Sequence, residues 1–347
     1  MLSFPSIPPV FAEVQEAARA RQAMLTKPAG SLGQLEDLSI RLAAMTGQLR
    51  PSLANKAVIV MAGDHGVAAE GISAYPSEVT PQMVLNFVQG GAAINVLARQ
   101  ANARVVVVDI GVARDLAPQP GLLIRKIARG THNMAVQPAM TRAQAEDAIA
   151  VGIQVLEQEI AQGLDLVATG DMGIGNTTPS SAIVAAMTGR PVAEVTGRGT
   201  GVDDAGLARK IKTIERALEF HHPDPTDALD ILSKVGGFEI AGLAGVIIGG
   251  AAHRIPVVID GFISGAAALI AAGLVPEVKP YLIAAHQSVE IGHRVMLNQL
   301  GLKPLLNLNL RLGEGTGAVL AFHLIEAAVR ILNEMATFAE AGVSDKG

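Results

Sequence analysis

Five short runs, nearly all apolar and rich in β-branched residues, recur along the chain at 57–61, 104–110, 164–168, 256–259 and 281–285. Runs without polar alternation belong to strands covered on both faces, the usual condition of a parallel sheet. Between them, 80–100, 141–162, 176–188, 203–220, 238–253, 263–272 and 287–300 carry apolar residues at helical spacing. Strand alternating with helix predicts an α/β fold, an open and mostly parallel sheet with helices on both faces. Half of the 347 residues are apolar and 17% are charged, which supports a large core and excludes disorder by composition.

The chain ends read differently. Residues 10–25 and 31–47 form two helical patterns with no strand between them, and 316–341 is helical again. Ser31 and Gln34 have the spacing of a capping box. The expectation is an α/β catalytic domain over 51–312, beside a small helical domain built from 1–50 and 313–347. Two strongly apolar stretches free of charge and histidine, 240–252 and 261–276, are shorter than the ~18 residues of a membrane span. No basic, apolar leader opens the chain and no cysteine occurs, so a cytoplasmic protein that does not span a membrane is expected. Net charge is -5, no basic run exceeds two residues, and aromatic side chains are few. Nucleic acid is therefore a poor partner.

Ligands of open α/β sheets bind beyond the carboxyl ends of the strands. Those ends carry Gly63-Asp64-His65, Asp109-Ile110-Gly111, Gly170-Asp171-Met172-Gly173, Asp260-Gly261 and His286-Gln287-Ser288. Singly, each is an ordinary turn or cap; together they predict one polar cleft along one sheet edge. Glycines gather in the same places, at 173–178, 197–201 and 313–317, each ahead of a helical pattern, where bare amides and the helix dipole hold anions. Neither a P-loop nor a G-x-G-x-x-G turn after a strand occurs, which favours a mononucleotide or sugar phosphate over a dinucleotide.

Other candidates have plain readings beside functional ones. His286, Glu290 and His293 share one face if 287–300 is a single helix, so a metal-ligand triad is geometrically open; packing and capping compete with it. His221-His222 ends a helix and Asp203-Asp204 opens one, both ordinary placements. Lys210, two turns after Asp203, is either a solvated charge or a phosphate contact. Glu314 stands between glycines, so a ligand can approach a bare backbone while one carboxylate projects, as a general base would.

At this point several segments resemble one family, the nicotinate mononucleotide:dimethylbenzimidazole phosphoribosyltransferases of cobalamin nucleotide-loop assembly. They are Lys27-Pro28-Ala29-Gly30-Ser31-Leu32-Gly33, Ala62-Gly63-Asp64-His65-Gly66-Val67, 90–98, 170–178, Lys234-Val235-Gly236-Gly237-Phe238-Glu239, Asp260-Gly261-Phe262-Ile263-Ser264 and Leu310-Arg311-Leu312-Gly313-Glu314-Gly315-Thr316-Gly317. They run in order from 27 to 317.

The resemblance implies a six-stranded parallel sheet, a small domain from both termini, a homodimer, and no cofactor or metal. It implies transfer of phosphoribose from nicotinate mononucleotide to dimethylbenzimidazole. Glu314 matches the family's catalytic glutamate. Asp171 stands where many members have Glu and would steady positive charge on the ribose; Lys210 would lie near the substrate. Gly173, Gly175, Asn176, Gly199, Thr200 and Gly201 would hold phosphate, with Asp260 and Leu312 among the substrate contacts. Tyr75 and Met83 fall where the family lines the base pocket with smaller or more polar residues. Two other functions compete: a metal-dependent nucleotide or phosphosugar hydrolase using the His286 triad, and a non-catalytic mononucleotide-binding protein with no need of Glu314.

Overall fold

In a computed structural model that describes residues 4–344, the apolar runs become strands of one sheet. Residues 1–3 and 345–347, the extremities of both expected terminal segments, lie outside the described residues. The strands are β1 (Lys56–Gly63), β2 (Ala103–Gly111), β3 (Leu122–Ile124), β4 (Leu166–Met172), β5 (Val257–Ile259) and β6 (Leu282–Ala284), all parallel, in the order β3-β2-β1-β4-β5-β6. Val58 pairs with Val105 on one side and Ala168 on the other, so the centre of β1 is covered from every direction. The strand order reverses between β1 and β4, which is where a sheet of this kind opens a crevice for ligands.

Helices surround the sheet, and several expected boundaries move. The pattern at 80–100 is two helices, Val79–Gln89 and Ala93–Gln100, because Gly90 takes a left-handed conformation and ends the first. The C-terminal pattern likewise breaks into Thr316–Glu334 and Phe338–Ala341. β4 begins two residues later than the apolar run suggested and continues to Met172, and β3 matches none of the five apolar runs. The capping box expected at Ser31 is absent: the helix starts at Gln34 after Gly33, and the Glu36 carboxylate instead accepts from the Gly30 and Leu32 amides while facing Lys27 at 2.8 Å.

Both chain ends meet in a small apolar cluster of Ala18, Ile40, Ala43 and Leu332. Arg21 donates to the Leu332 carbonyl at 2.7 Å, and Leu25 bridges Thr337. Thr316–Glu334 is long and apolar enough, by length and composition alone, to cross a membrane, although it carries His323, Glu326 and Arg330. Its first residues sit at the sheet and its last in the terminal cluster; 56% of its most apolar window is buried in the protein.

Candidate active site

A cleft of about 690 Å³ opens beyond the carboxyl ends of β4, β5 and β6. Of the polar residues at the five strand ends, Asp171, His286 and Ser288 line it. The expectation that all five ends face one cleft fails for a common reason: a buried carboxylate needs donors, and the following loops supply them. Asp64 accepts from the Ala113 amide at 2.8 Å, and Asp109 from the Val112 amide at 2.9 Å while facing Lys126 at 3.0 Å. Asp260 is buried behind the cleft surface, capping the Thr316–Glu334 helix through the Ala318 amide at 2.9 Å and facing His286 at 3.7 Å.

Glu314 lies in the cleft wall within a turn of three consecutive left-handed residues, Gly313 (φ 83°), Glu314 (φ 63°) and Gly315 (φ 89°). Glycine adopts this conformation freely, whereas glutamate does so at a cost of order 1–3 kcal/mol, and such cost concentrates at functional sites. Gly170 permits the turn to press onto β4, since a Cβ there would lie 2.5 Å from the Glu314 carbonyl oxygen. The Glu314 carboxylate is buried and accepts from the Ile94 amide at 3.3 Å. That amide is free because the helix breaks at Gly90; in a continuous helix it would be bonded four residues back. Burial raises the Glu314 pKa above the ordinary carboxylate range, the Ile94 amide opposes this, and the Asp260 charge adds to the rise.

Asp171 is nearly inaccessible and accepts from the Asn176 side chain at 2.9 Å. Burial, then repulsion from Asp260 and Glu239, pushes its pKa well above the usual range. Three carboxyl groups, Asp171, Asp260 and Glu314, thus gather where a cation is electrostatically wanted.

A second group is cationic. Lys210 is 1% exposed, and its ammonium donates to Thr177 Oγ1 at 2.7 Å and to the Gly197 carbonyl at 3.2 Å. Burial lowers its pKa to about 8, against the attraction of Glu290. Because Thr177 Oγ1 accepts from the ammonium, its own proton is turned elsewhere, and Thr177 lines the cleft at the first position of the Thr177–Thr188 helix. Arg311, also lining the cleft, donates to the Gly199 carbonyl at 3.3 Å. Glu290 accepts from the Gly199 amide at 3.0 Å.

Much of the apolar lining comes from Tyr75, Val79, Met83, Phe262, Ile263 and Leu312. Val79 and Met83 are four residues apart on one helix and share a face. Thr200 Oγ1 accepts from the Ala74 amide at 3.1 Å, which fixes the loop carrying Tyr75.

Most expected site residues therefore meet: Glu314, Asp171, Tyr75, Met83, Gly173, Asn176, Gly199, Thr200 and Leu312 all line one cleft. Lys210, Asp260, Gly175 and Gly201 are not part of that surface. Lys210 reaches it through Thr177, and the Gly201 amide is already bonded to the Arg198 carbonyl at 3.0 Å. The His286–Glu290–His293 face does not exist, because the helix begins at Ile291 with Glu290 as its N-cap. His286 faces Asp260, Glu290 holds Gly199, and His293 Nδ1 accepts from the Ser288 amide; no group of three ligands for a metal occurs among the described residues. Thr177 and Arg311 were overlooked, although both fall inside segments that carried the resemblance.

Comparison with known proteins agrees with this geometry. Residues 7–343 match a family model described as phosphoribosyltransferase. The chain belongs to this phosphoribosyltransferase family. It is 66% identical over 330 residues to a protein of Chloroflexus aurantiacus and 67% over 330 to one of Roseiflexus castenholzii, covering 95% of this chain and 94% of each relative. Both are named nicotinate-nucleotide--dimethylbenzimidazole phosphoribosyltransferase. The crystal structure of CobT from Thermus thermophilus superposes with a TM-score of 0.94 at 51% identity, over 96% of this chain and all of that one.

Proposed function

We propose that the protein transfers phosphoribose from nicotinate mononucleotide to a nitrogen of dimethylbenzimidazole, releasing nicotinate and forming α-ribazole 5'-phosphate for the nucleotide loop of cobalamin. The observation that carries this is Glu314, a buried carboxylate held in a left-handed turn against the cleft that also contains Asp171 and the Thr177 helix terminus. The pyridinium leaves as a neutral ring by taking the C1' bond pair, so it needs no general acid, unlike an ordinary glycoside. One benzimidazole nitrogen attacks C1' with its lone pair. The proton on the other nitrogen passes to Glu314, and attack opposite the leaving group turns a β nucleotide into an α product. A raised pKa brings Glu314 nearer the working pH, where a base is most effective.

Asp171 and Asp260 favour the pyridinium nitrogen of the nucleotide and the positive charge that develops on the ribose. Asp260 acts from behind the surface and Lys210 through Thr177, so both are positioning residues. The helix N-terminus at Thr177 and the Arg311 guanidinium receive the phosphate. Tyr75, Val79, Met83 and Leu312 take the flat acceptor. The reading needs no cofactor or metal, and it includes pairing of two chains as a homodimer, for which sedimentation gives the mass directly. The set His286, Glu290 and His293 that a metal-dependent hydrolase would use is divided among other partners, and a non-catalytic binder has no use for a strained Glu314.

The test is incubation with nicotinate mononucleotide, with and without dimethylbenzimidazole, and chromatography of the products. Nicotinate released only with the acceptor, in equal amount to an α nucleotide, supports the transfer. Equal release without the acceptor would make the protein a hydrolase.

A further inference from the structure

Two of the segments that carry the family resemblance, Gly63-Asp64-His65-Gly66 and Gly236-Gly237-Phe238-Glu239, contribute nothing to the cleft lining. The fold brings them together directly beneath a third, the Asp171–Asn176 turn. His65 follows β1, and Glu239 lies in the first turn of the Phe238–Ala252 helix. Their side chains meet at 2.7 Å, imidazole Nε2 to carboxylate Oε1, and both are essentially inaccessible to solvent. Neither makes a well-aligned hydrogen bond among the described residues, to its partner or to a third group, so the contact between them is an ion pair.

Three glycines make room for the pair. A Cβ at Gly237 would lie 2.5 Å from the His65 ring and 2.6 Å from Glu239, and one at Gly63 would lie 3.3 Å from the same carboxylate. One at Gly173 would lie 3.2 Å from His65 Nε2 while striking the Gly63 carbonyl. Gly173 opens the turn that leads into the Thr177 helix terminus, and its underside rests on the imidazole. The other charged groups facing the pair are Asp64, which acts on His65, and Asp171, on which Glu239 acts. Burial alone lowers the His65 pKa, but Glu239 and then Asp64 outweigh it, so the imidazole keeps its proton beyond its ordinary range.

We propose that His65 and Glu239 form a positioning pair for the nucleotide's phosphate, an imidazolium locked against a carboxylate that fixes the Gly173–Asn176 turn from below. This rests on reading that turn and the Thr177 helix terminus as the phosphate cradle. The pair touches no substrate. It sets where the cradle's amides and the Thr177 hydroxyl point, and it leaves the acceptor pocket alone.

The phosphate is what separates this from a general structural role, so the test compares nicotinate mononucleotide with nicotinate riboside, which lacks it. Dissociation constants for both, and for dimethylbenzimidazole, are measured by calorimetry on the unmodified protein and on the double variant His65→Gln/Glu239→Gln, which removes both charges at similar volume. The unmodified protein should prefer the phosphorylated ligand, and the double variant should lose about tenfold or more of that preference, the worth of one or two charge-assisted hydrogen bonds. Affinity for the riboside and for dimethylbenzimidazole should change less than about threefold, well under the effect of losing one such bond. An unchanged preference in a cooperatively folded variant would overturn the proposal. If the unmodified protein shows no preference for phosphate, the cradle reading fails and takes this proposal with it. Should the double variant not fold, the His65 ring signals of the unmodified protein, followed by NMR, decide the matter: they should shift with the mononucleotide and not with the riboside, and identical responses would overturn the pair's role.

Discussion

On one side of the reaction carboxyl groups gather, Asp171 and Glu314 in the cleft wall with Asp260 behind it, and on the other side cations, Arg311 in the wall with Lys210 behind it. The three acids and Lys210 are withdrawn from water, and burial shifts their pKa toward the neutral form, up for the acids and down to about 8 for the lysine. Their supports differ. Lys210 has two near partners in Thr177 and Gly197, with Glu290 as counter-charge, while Asp171 and Glu314 repel one another and hold few donors. A self-satisfied cation is suited to holding a turn in place. A crowded set of acids is suited to a ring that is a pyridinium while bonded to the ribose and neutral once it has left.

The contrast breaks most sharply at Glu314. Glu314→Gln keeps the shape and the turn but removes the base, and turnover should fall about 10²- to 10⁴-fold with nucleotide affinity largely kept. Steady-state rates beside calorimetric binding check both halves. On the cationic side, Lys210→Met should do the reverse, raising KM for the nucleotide about tenfold or more with a much smaller change in kcat. It should also lower the melting temperature, because Glu290 loses its counter-charge and Thr177 a donor.

The acceptor end lies outside both charge groups. The double change Tyr75→Ser with Met83→Gln should reorder competing acceptors while leaving the nucleotide's dissociation constant nearly unchanged. Apolar pockets discriminate a missing methyl by only about 1–3 kcal/mol, so unsubstituted benzimidazole should remain a substrate. Product ratios from equimolar acceptors, before and after the change, decide it; identical ratios would mean that these side chains do not select the base. The smallest expected effect is that of a chelator: dialysis against one should leave turnover as it was, and a rate restored only by added metal would revive the hydrolase reading.

Strand-forming runs were legible because a parallel strand buried on both faces has no polar alternation to confuse it, and five of the six strands announce themselves this way. β3 does not, since three residues at a sheet edge, one buried and two half-covered, carry too little pattern. Glu314 was visible as a lone carboxylate between glycines. The rest of its environment was not, because its amide partner at Ile94 depends on a helix break that apolar periodicity runs straight through. The metal reading of His286, Glu290 and His293 fails for a related reason: its spacing needs a helix from residue 287, whereas the helix starts at Ile291, with Ser288 Oγ accepting from the Glu290 amide in the turn before it. Lys210 reads as either a solvated charge or a phosphate contact because sequence gives no depth; it is neither, for the buried ammonium is spent on Thr177 and Gly197 before it reaches the cleft.

The central claim is that a raised Glu314 carboxylate takes the acceptor's proton while Lys210, charged, keeps the nucleotide turn in place. The most direct measurement is the pH dependence of single-turnover transfer, in the unmodified protein and in Glu314→Gln. Glu314 must be ionised to act, so the rate should climb as pH rises through a value above the ordinary carboxylate range. Nucleotide affinity should then fall as pH passes about 8, where the Lys210 ammonium gives up its proton. In Glu314→Gln the acid limb should vanish and the alkaline one remain. An acid limb that persists unchanged in Glu314→Gln would contradict the account.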